Sequence, residues 1–257
     1  MFIQQTGTGS KTVVGFHGWS GDHHTFDPLL GQMPKDYSFY APDLPGCGQS
    51  DPPKKWKMRC LAQEVTGALI RLNRERMTLV GSCSGAILTA FVASELREMG
   101  RSGVLAKLVM IDPFAYCPWY FRIFLIPLIG PVTYTAAFAN PVGRVITNLF
   151  LREKRVGNTD LTESFAGVDH WVTWKYLKML FECGQPGQFH GLDVPVDILY
   201  GEKTFGAVRR SVREWASALP QASIRELSGV GHLPIQESSY EVAKVVFGGE
   251  ISRNESS

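Results

Sequence analysis

The segment Gly81-Ser82-Cys83-Ser84-Gly85 constrains this chain more than any other, because it joins two kinds of structure with no room for a loop. Before it, residues 77–80 form a short apolar run that reads as a buried strand; after it, Ala86-Ile-Leu-Thr-Ala-Phe-Val-Ala93 reads as a helix. A strand that becomes a helix within one residue brings its backbone close to itself, so the residues two before and two after the centre must be small. Gly81 and Gly85 occupy those two places. The side chain between them is held out beyond the end of the strand, at a helix N-terminus whose unpaired N–H groups favour negative charge. That side chain is Cys83.

The rest of the chain supplies a sheet for such a turn. Apolar runs at 12–16, 37–40, 77–80, 105–111, 196–200 and 222–227 are predicted strands, and they alternate with predicted helices at 26–33, 59–73, 85–99, 207–218 and 240–247. Near-continuous apolar strands separated by helices imply an α/β fold, with a mostly parallel sheet covered on both faces. The alternation lapses between Pro113 and Pro195, where aromatic residues and helix-period segments such as 170–180 dominate. The expected organisation is therefore a core of residues 1–113 and 195–249, a helical cap inserted at 114–194, and a polar tail at 250–257. An insertion at the carboxyl edge of a parallel sheet lies where open α/β sheets bind ligands.

Charge and cysteine usage exclude several function classes. Among 257 residues, Lys and Arg number 26 against 24 Asp and Glu, a net charge of +2 that is far from the basic excess of a nucleic-acid-binding surface. The five cysteines, Cys47, Cys60, Cys83, Cys117 and Cys183, are widely spaced with no C-x-x-C pair. Neither a disulfide framework nor a metal cluster is expected, and a reducing cytoplasm fits this usage best. The first residues show no basic segment followed by an apolar one, so no secretory signal is expected there. Residues 123–143 carry no charge, but Pro127, Gly130, Pro131 and Pro141 interrupt them; no spanning helix is expected, and no membrane among the partners.

Four motifs stand in order along the chain: Phe16-His17-Gly18-Trp19-Ser20-Gly21, Ala41-Pro-Asp43-Leu-Pro-Gly46-Cys-Gly48-Gln-Ser50-Asp51, the turn centred on Cys83, and Gly229-Val-Gly231-His232-Leu-Pro234. Together they resemble the α/β-hydrolase superfamily over nearly the whole chain, with cysteine where the nucleophile elbow usually carries serine. The resemblance implies an α/β-hydrolase fold, a mostly parallel twisted sheet flanked by helices with a helical cap insertion. It implies Cys83 as nucleophile, His232 as general base, and the backbone N–H groups of Trp19 and Ser84 as oxyanion-hole donors. His17 and Asp43 are then bracing residues of their loops, with His23 and His24 in a loop near the cap. The acid of most relatives lies in a Gly-x-x-Asp turn after the strand that follows the cap, but here that turn reads Gly201-Glu202-Lys203-Thr204. A variation in the superfamily takes the acid from the end of the strand after the nucleophile helix, where this chain has Asp112, so Asp112 is the expected acid. Glu202, Asp197 and a Cys-His dyad without an acid remain alternatives.

A cysteine nucleophile forms a thioester, which stays activated and partitions between water and any other nucleophile that reaches it. The expected activity is hydrolysis of an ester, thioester or lactone, on a small-molecule or carrier-bound acyl substrate and with no cofactor. Acyl transfer or cyclisation on the same intermediate is one alternative. The threonine in the usual acid turn leaves a second, a non-catalytic ligand-binding protein on a hydrolase scaffold. Aspartate-dependent dehalogenation is disfavoured by Cys83. The run Trp119-Tyr-Phe121-Arg-Ile-Phe124 in the cap suggests a lipophilic pocket with Trp119, Phe121 and Phe124 as substrate-binding residues.

Overall fold

The computed structural model describes residues 1–248; the expected polar tail at 250–257, with residue 249 of the core, lies outside the described residues. Strands β1 (Ile3–Thr6), β2 (Lys11–Phe16), β3 (Tyr37–Pro42), β4 (Met77–Ser82), β5 (Leu105–Ile111), β6 (Val196–Gly201) and β7 (Ser223–Leu227) make a seven-stranded sheet in the order β1-β3-β2-β4-β5-β6-β7. Only β1 runs antiparallel to its neighbour; all other pairings are parallel. Helices α1 (Asp27–Leu30), α2 (Met58–Arg71) and α3 (Ser84–Glu98) follow β2, β3 and β4. The insertion between β5 and β6 holds α4 (Ile129–Tyr134), α5 (Pro141–Phe150) and α6 (His170–Glu182). After β6 come α7 (Gly206–Ala218), α8 (Pro234–Glu237) and α9 (Ser239–Phe247).

The period-2 geometry of the strands divides the core in two. Val14, Phe16, Leu79, Leu108, Met110 and Ile198 face one layer, packed by α2, α3 and α7. Their sequence neighbours Val13, Val80, Val109, Ile111 and Leu199 face the other, packed by α1 and α9. Because both faces are covered, the central strands read as unbroken apolar runs.

Two elements differ from the sequence expectation. β1 was not predicted: its central residues are Gln4 and Gln5, both exposed, and it joins the sheet edge through backbone pairing with β3. The helix expected at 26–33 is a 3-10 turn, His23–Phe26, capped by Asp22 and followed by the single turn α1, with Pro28 at its start and Gly31 beyond its end.

The inserted region is not one uniform layer. Val172, Tyr176 and Met179 of α6 pack into the main core, whereas Tyr134, Phe138 and Phe165 form a separate aromatic cluster with Trp19, Phe121, Phe124 and Trp174. Among the described residues no single helix is long and apolar enough to cross a membrane.

Candidate active site

The tight turn expected from Gly81 and Gly85 has a direct steric cause. A Cβ on Gly81 would stand 2.4 Å from the Gly85 carbonyl oxygen, and one on Gly85 would stand 2.1 Å from the Phe16 carbonyl oxygen, inside any real contact distance. Between them Cys83 adopts φ 54°, ψ −114°, a left-handed conformation that L-residues avoid. Its N–H donates to the Ile111 carbonyl at 2.8 Å, tying the turn to the end of β5. Cys83 precedes the first turn of α3, so its sulfur sits at the positive end of a fifteen-residue helix.

One residue beyond Ile111 stands Asp112, buried and also at positive φ, 48°. Its carboxylate is fully engaged: Oδ1 accepts from the Gly201 N–H at 2.9 Å, and Oδ2 accepts from the Thr204 hydroxyl and from His232 Nδ1, the latter at 2.6 Å. This fixes the imidazole with Nδ1 toward the acid and leaves Nε2 for Cys83, the second group that hydrogen-bonds the ring. Burial alone lowers the proton affinity of His232, but hydrogen bonding and charge from Asp112 and Cys83 outweigh it and raise its pKa to about 10. Phe205 and Phe114 present ring edges or faces to the imidazole at centroid distances of 4.7 and 5.7 Å, completing its cage.

Thr204, in the turn where relatives commonly carry the acid, stands 3.2 Å from His232 Nδ1 through its Oγ1. Sequence reasoning registered it only as a departure. The structure shows it bridging acid and imidazole from full burial. Glu202, an alternative acid, instead accepts from the Gly229 N–H at 2.7 Å and the Ser228 hydroxyl, bracing the loop that leads to His232. Asp197, another alternative, pairs with Lys107 at 3.0 Å.

Opposite the elbow, Gly18 approaches so closely that an added Cβ would lie 3.1 Å from the Cys83 Cβ. This places the Gly18-Trp19 backbone against the Cys83 side chain. Among the described residues neither the Trp19 nor the Ser84 N–H has an acceptor. The Trp19 side chain has a second task that the sequence did not reveal. Its Nε1 donates to the Thr173 carbonyl at 2.7 Å, and its ring packs edge-on against Phe121, Phe138 and Phe165 of the cap. His17 is buried, with Nδ1 donating to the Gly18 carbonyl and Nε2 accepting from the Leu44 N–H, and desolvation lowers its pKa; it is a neutral brace. Asp43 accepts from the N–H groups of His23 and Gln49 and from His23 Nδ1, holding its loop.

A cavity of about 670 Å³ opens over Cys83 and His232, between the sheet edge and the cap. Its lining combines apolar side chains, among them Phe114, Phe121, Phe138, Phe165, Leu177 and Leu180, with polar ones such as Ser20, Asp22, His24 and Thr162. Of the three aromatics expected to bind substrate, Phe121 lines this cavity. Trp119 does not, being 76% exposed on the outer side of the cap. Phe124 does not either: its ring is spent on Phe121, Tyr134 and Phe138, inside the cap cluster. The cap meets the His232 loop through Glu237, whose carboxylate accepts from Gly231 N–H on the loop and from Val156 N–H and Thr159 Oγ1 on the cap. Lys154 adds its carbonyl, which accepts from the His232 N–H at 2.8 Å. Among the described residues no group of three or more His, Cys, Asp or Glu is placed to hold a metal ion.

Comparison with known proteins agrees with this architecture. A protein of Mycobacterium tuberculosis described as uncharacterized is 23% identical over 273 aligned positions, covering 93% of this chain and 75% of its own. A probable serine hydrolase of Drosophila melanogaster is 30% identical over 110 positions, 40% of this chain and 30% of its own. Among solved structures, a thermophilic esterase from Thermogutta terrifontis superposes with a TM-score of 0.74 at 18% identity, covering 95% of this chain and 90% of that one. An enol-lactonase from Burkholderia xenovorans superposes with a TM-score of 0.71 at 16% identity, covering 95% and 94%. The family model described as the alpha/beta hydrolase family matches residues 13–245, and with that match spanning sheet, elbow and histidine loop alike, the chain belongs to the alpha/beta hydrolase family.

Proposed function

We propose that the protein hydrolyses an ester, thioester or lactone of a lipophilic acyl substrate through an acyl-Cys83 intermediate. The observation that carries this reading is the hydrogen-bonded line from Asp112 to His232, ending under a strained Cys83 elbow. In the first half-reaction Cys83 Sγ attacks the acyl carbonyl with its proton held on His232 Nε2. The N–H groups of Trp19 and Ser84 receive the oxyanion, a contribution of about 3 kcal/mol per well-placed donor. His232 then returns the proton to the departing oxygen or sulfur, leaving a thioester. In the second half-reaction His232 takes a proton from water, the hydroxyl oxygen adds to the thioester carbonyl, and the thiol is restored as the acid leaves. The apolar lining residues, from Phe114 to Leu180, support a lipophilic acyl group.

A second reading, acyl transfer, draws support from the polar lining residues Ser20, Asp22, His24 and Thr162, which could bind a polar acceptor within the same cavity. Intact-protein mass spectrometry after mixing with acyl thioesters and p-nitrophenyl esters tests both. A mass increase equal to the acyl group, absent in Cys83→Ala and cleared in water, is the result expected for hydrolysis. An adduct that clears only when an acceptor alcohol or amine is added assigns acyl transfer. Turnover that persists in Cys83→Ala overturns the acyl-cysteine mechanism.

A further inference from the structure

Helix α5 is inside out. Val142, Val145, Ile146, Leu149 and Phe150 lie at spacings of three and four on one helical face, and all are exposed, Val145 by 70% and Phe150 by 82%. The opposite, inward face is polar and locked in place. Arg144 Nη1 donates to the carbonyls of Phe138 and Ala139, Thr147 Oγ1 donates to the Ala137 carbonyl, and Asn148 Oδ1 accepts from the Leu161 N–H. A helix on a soluble surface has the reverse arrangement. The feature extends beyond α5: of sixteen exposed large apolar side chains among the described residues, twelve lie between Trp119 and Phe150. An apolar concentration of this kind marks a contact surface.

Its charge points to the partner. Along residues 119–155 the charges are Arg122, Arg152 and Glu153, exposed, and Lys154 and Arg155, half-buried, a net positive set even with Arg144 turned inward. Arg122 and Arg152 are exposed near the two ends of the apolar stretch. On α6, Lys175 Nζ lies 4.9 Å from the ring centre of the exposed Trp171, an aromatic-cation pair of the kind enriched at membrane–water boundaries. The two apolar segments Trp119–Leu125 and Ile129–Ala139 are bent by 110° relative to each other, so they do not make one straight spanning helix. A second copy of the chain is a poorer occupant, because two such faces would bring like charges together.

We propose that this face of the cap docks on an anionic lipid bilayer, with α5 and the segment around Leu128 in the interfacial region and no helix crossing it. Phe150 belongs both to the exposed face and to the wall of the cavity over Cys83, so a docked bilayer adjoins the cavity mouth. The docking is independent of the acyl-cysteine reading. It differs from the sequence expectation of no membrane partner because the sequence does not state which side of α5 faces solvent.

The test is flotation of the full chain with vesicles of phosphatidylcholine alone and of phosphatidylcholine with phosphatidylglycerol, at low and high salt. The wild type is expected to float with the anionic vesicles and to lose much of this binding in high salt. Val145→Gln with Leu149→Gln keeps the charges and the helix propensity, and is expected to weaken partitioning about tenfold per site. Arg122→Gln with Arg152→Gln is expected to weaken it about fivefold per charge, on anionic vesicles only. Among the described residues none of these four side chains lines the cavity or makes a hydrogen bond, so thermal midpoints should be unchanged, which separates lost docking from lost folding. A wild type that floats with neither vesicle overturns the proposal, as does binding that both variants retain. A dimer seen by light scattering that Val145→Gln with Leu149→Gln dissolves would assign the face to a second copy and equally overturn it.

Discussion

Thr204 shows how the His232 imidazole is held when its carboxylate partner stands at the end of β5. Relatives commonly carry a carboxylate in this turn; here the threonine hydroxyl donates to Asp112 Oδ2 and stands 3.2 Å from His232 Nδ1. The two positions thus reach the same ring nitrogen from adjacent strand ends, β5 and β6. Asp112→Asn is expected to cut turnover by about 10²- to 10³-fold, because an amide neither holds the productive tautomer nor stabilises the imidazolium. Adding Thr204→Asp to Asp112→Asn should recover much of that loss by putting a carboxylate within reach of Nδ1; kcat values on one soluble thioester decide it. Failure of Thr204→Asp to recover any activity in a folded double variant would mean that Asp112 does more than orient the ring. Asp112 was readable only as what the family resemblance implies, beside Glu202, Asp197 and a dyad without an acid as alternatives. The bridging role of Thr204 was not, since its partner lies 92 residues away and only pairing of β5 with β6 brings them together.

At the scale of elements, the turn from β4 into α3 demands that two backbones nearly touch. Gly85 packs against the Phe16 carbonyl of β2, so the elbow is wedged against the strand that leads to the Trp19 loop. Gly85→Ala must push β2 and α3 apart and is expected to destabilise the fold by about 3 kcal/mol or more, at the upper end of single substitutions, as read by urea unfolding. A loss below about 1 kcal/mol would show that β2 yields easily at this contact. The central strands and α2, α3, α6, α7 and α9 were legible because burial on both sheet faces, or on one helix face, leaves a periodic apolar trace. β1 was not: Gln4 and Gln5 pair through backbone alone and leave no such trace. The orientation of α5 was equally hidden, because an amphipathic sequence states that two faces differ without stating which one is inside.

For the molecule as a whole, the charge state of His232 links the site to stability. Its pKa is raised from 6.5 to about 10 in the folded protein, so the folded state binds this proton more tightly than the unfolded chain. The resulting stabilisation is fully present below pH 6.5 and is lost as pH rises through about 10. The thermal midpoint is therefore expected to fall across that window, and Asp112→Asn, which removes a main cause of the shift, should flatten the fall. A wild-type profile that is level from pH 6.5 to 10 would contradict this linkage. The cap joins the same system at two anchors, Trp19 in its aromatic cluster and Glu237 between the His232 loop and Val156, so the lining of the cavity is set by packing across the insertion. Trp119 and Phe124 illustrate the consequence: both are aromatic cap residues beside Phe121, yet one faces outward and the other fills the cap interior. By itself the sequence determined the parallel sheet and the strained elbow around Cys83, because each leaves a local mark in glycine placement or periodicity, while the family resemblance alone pointed to Asp112 and His232 as its partners. Only the tertiary structure decided that Thr204 supports the acid, which aromatics meet the cavity and which face of α5 meets solvent, because those depend on contacts between segments far apart in the chain.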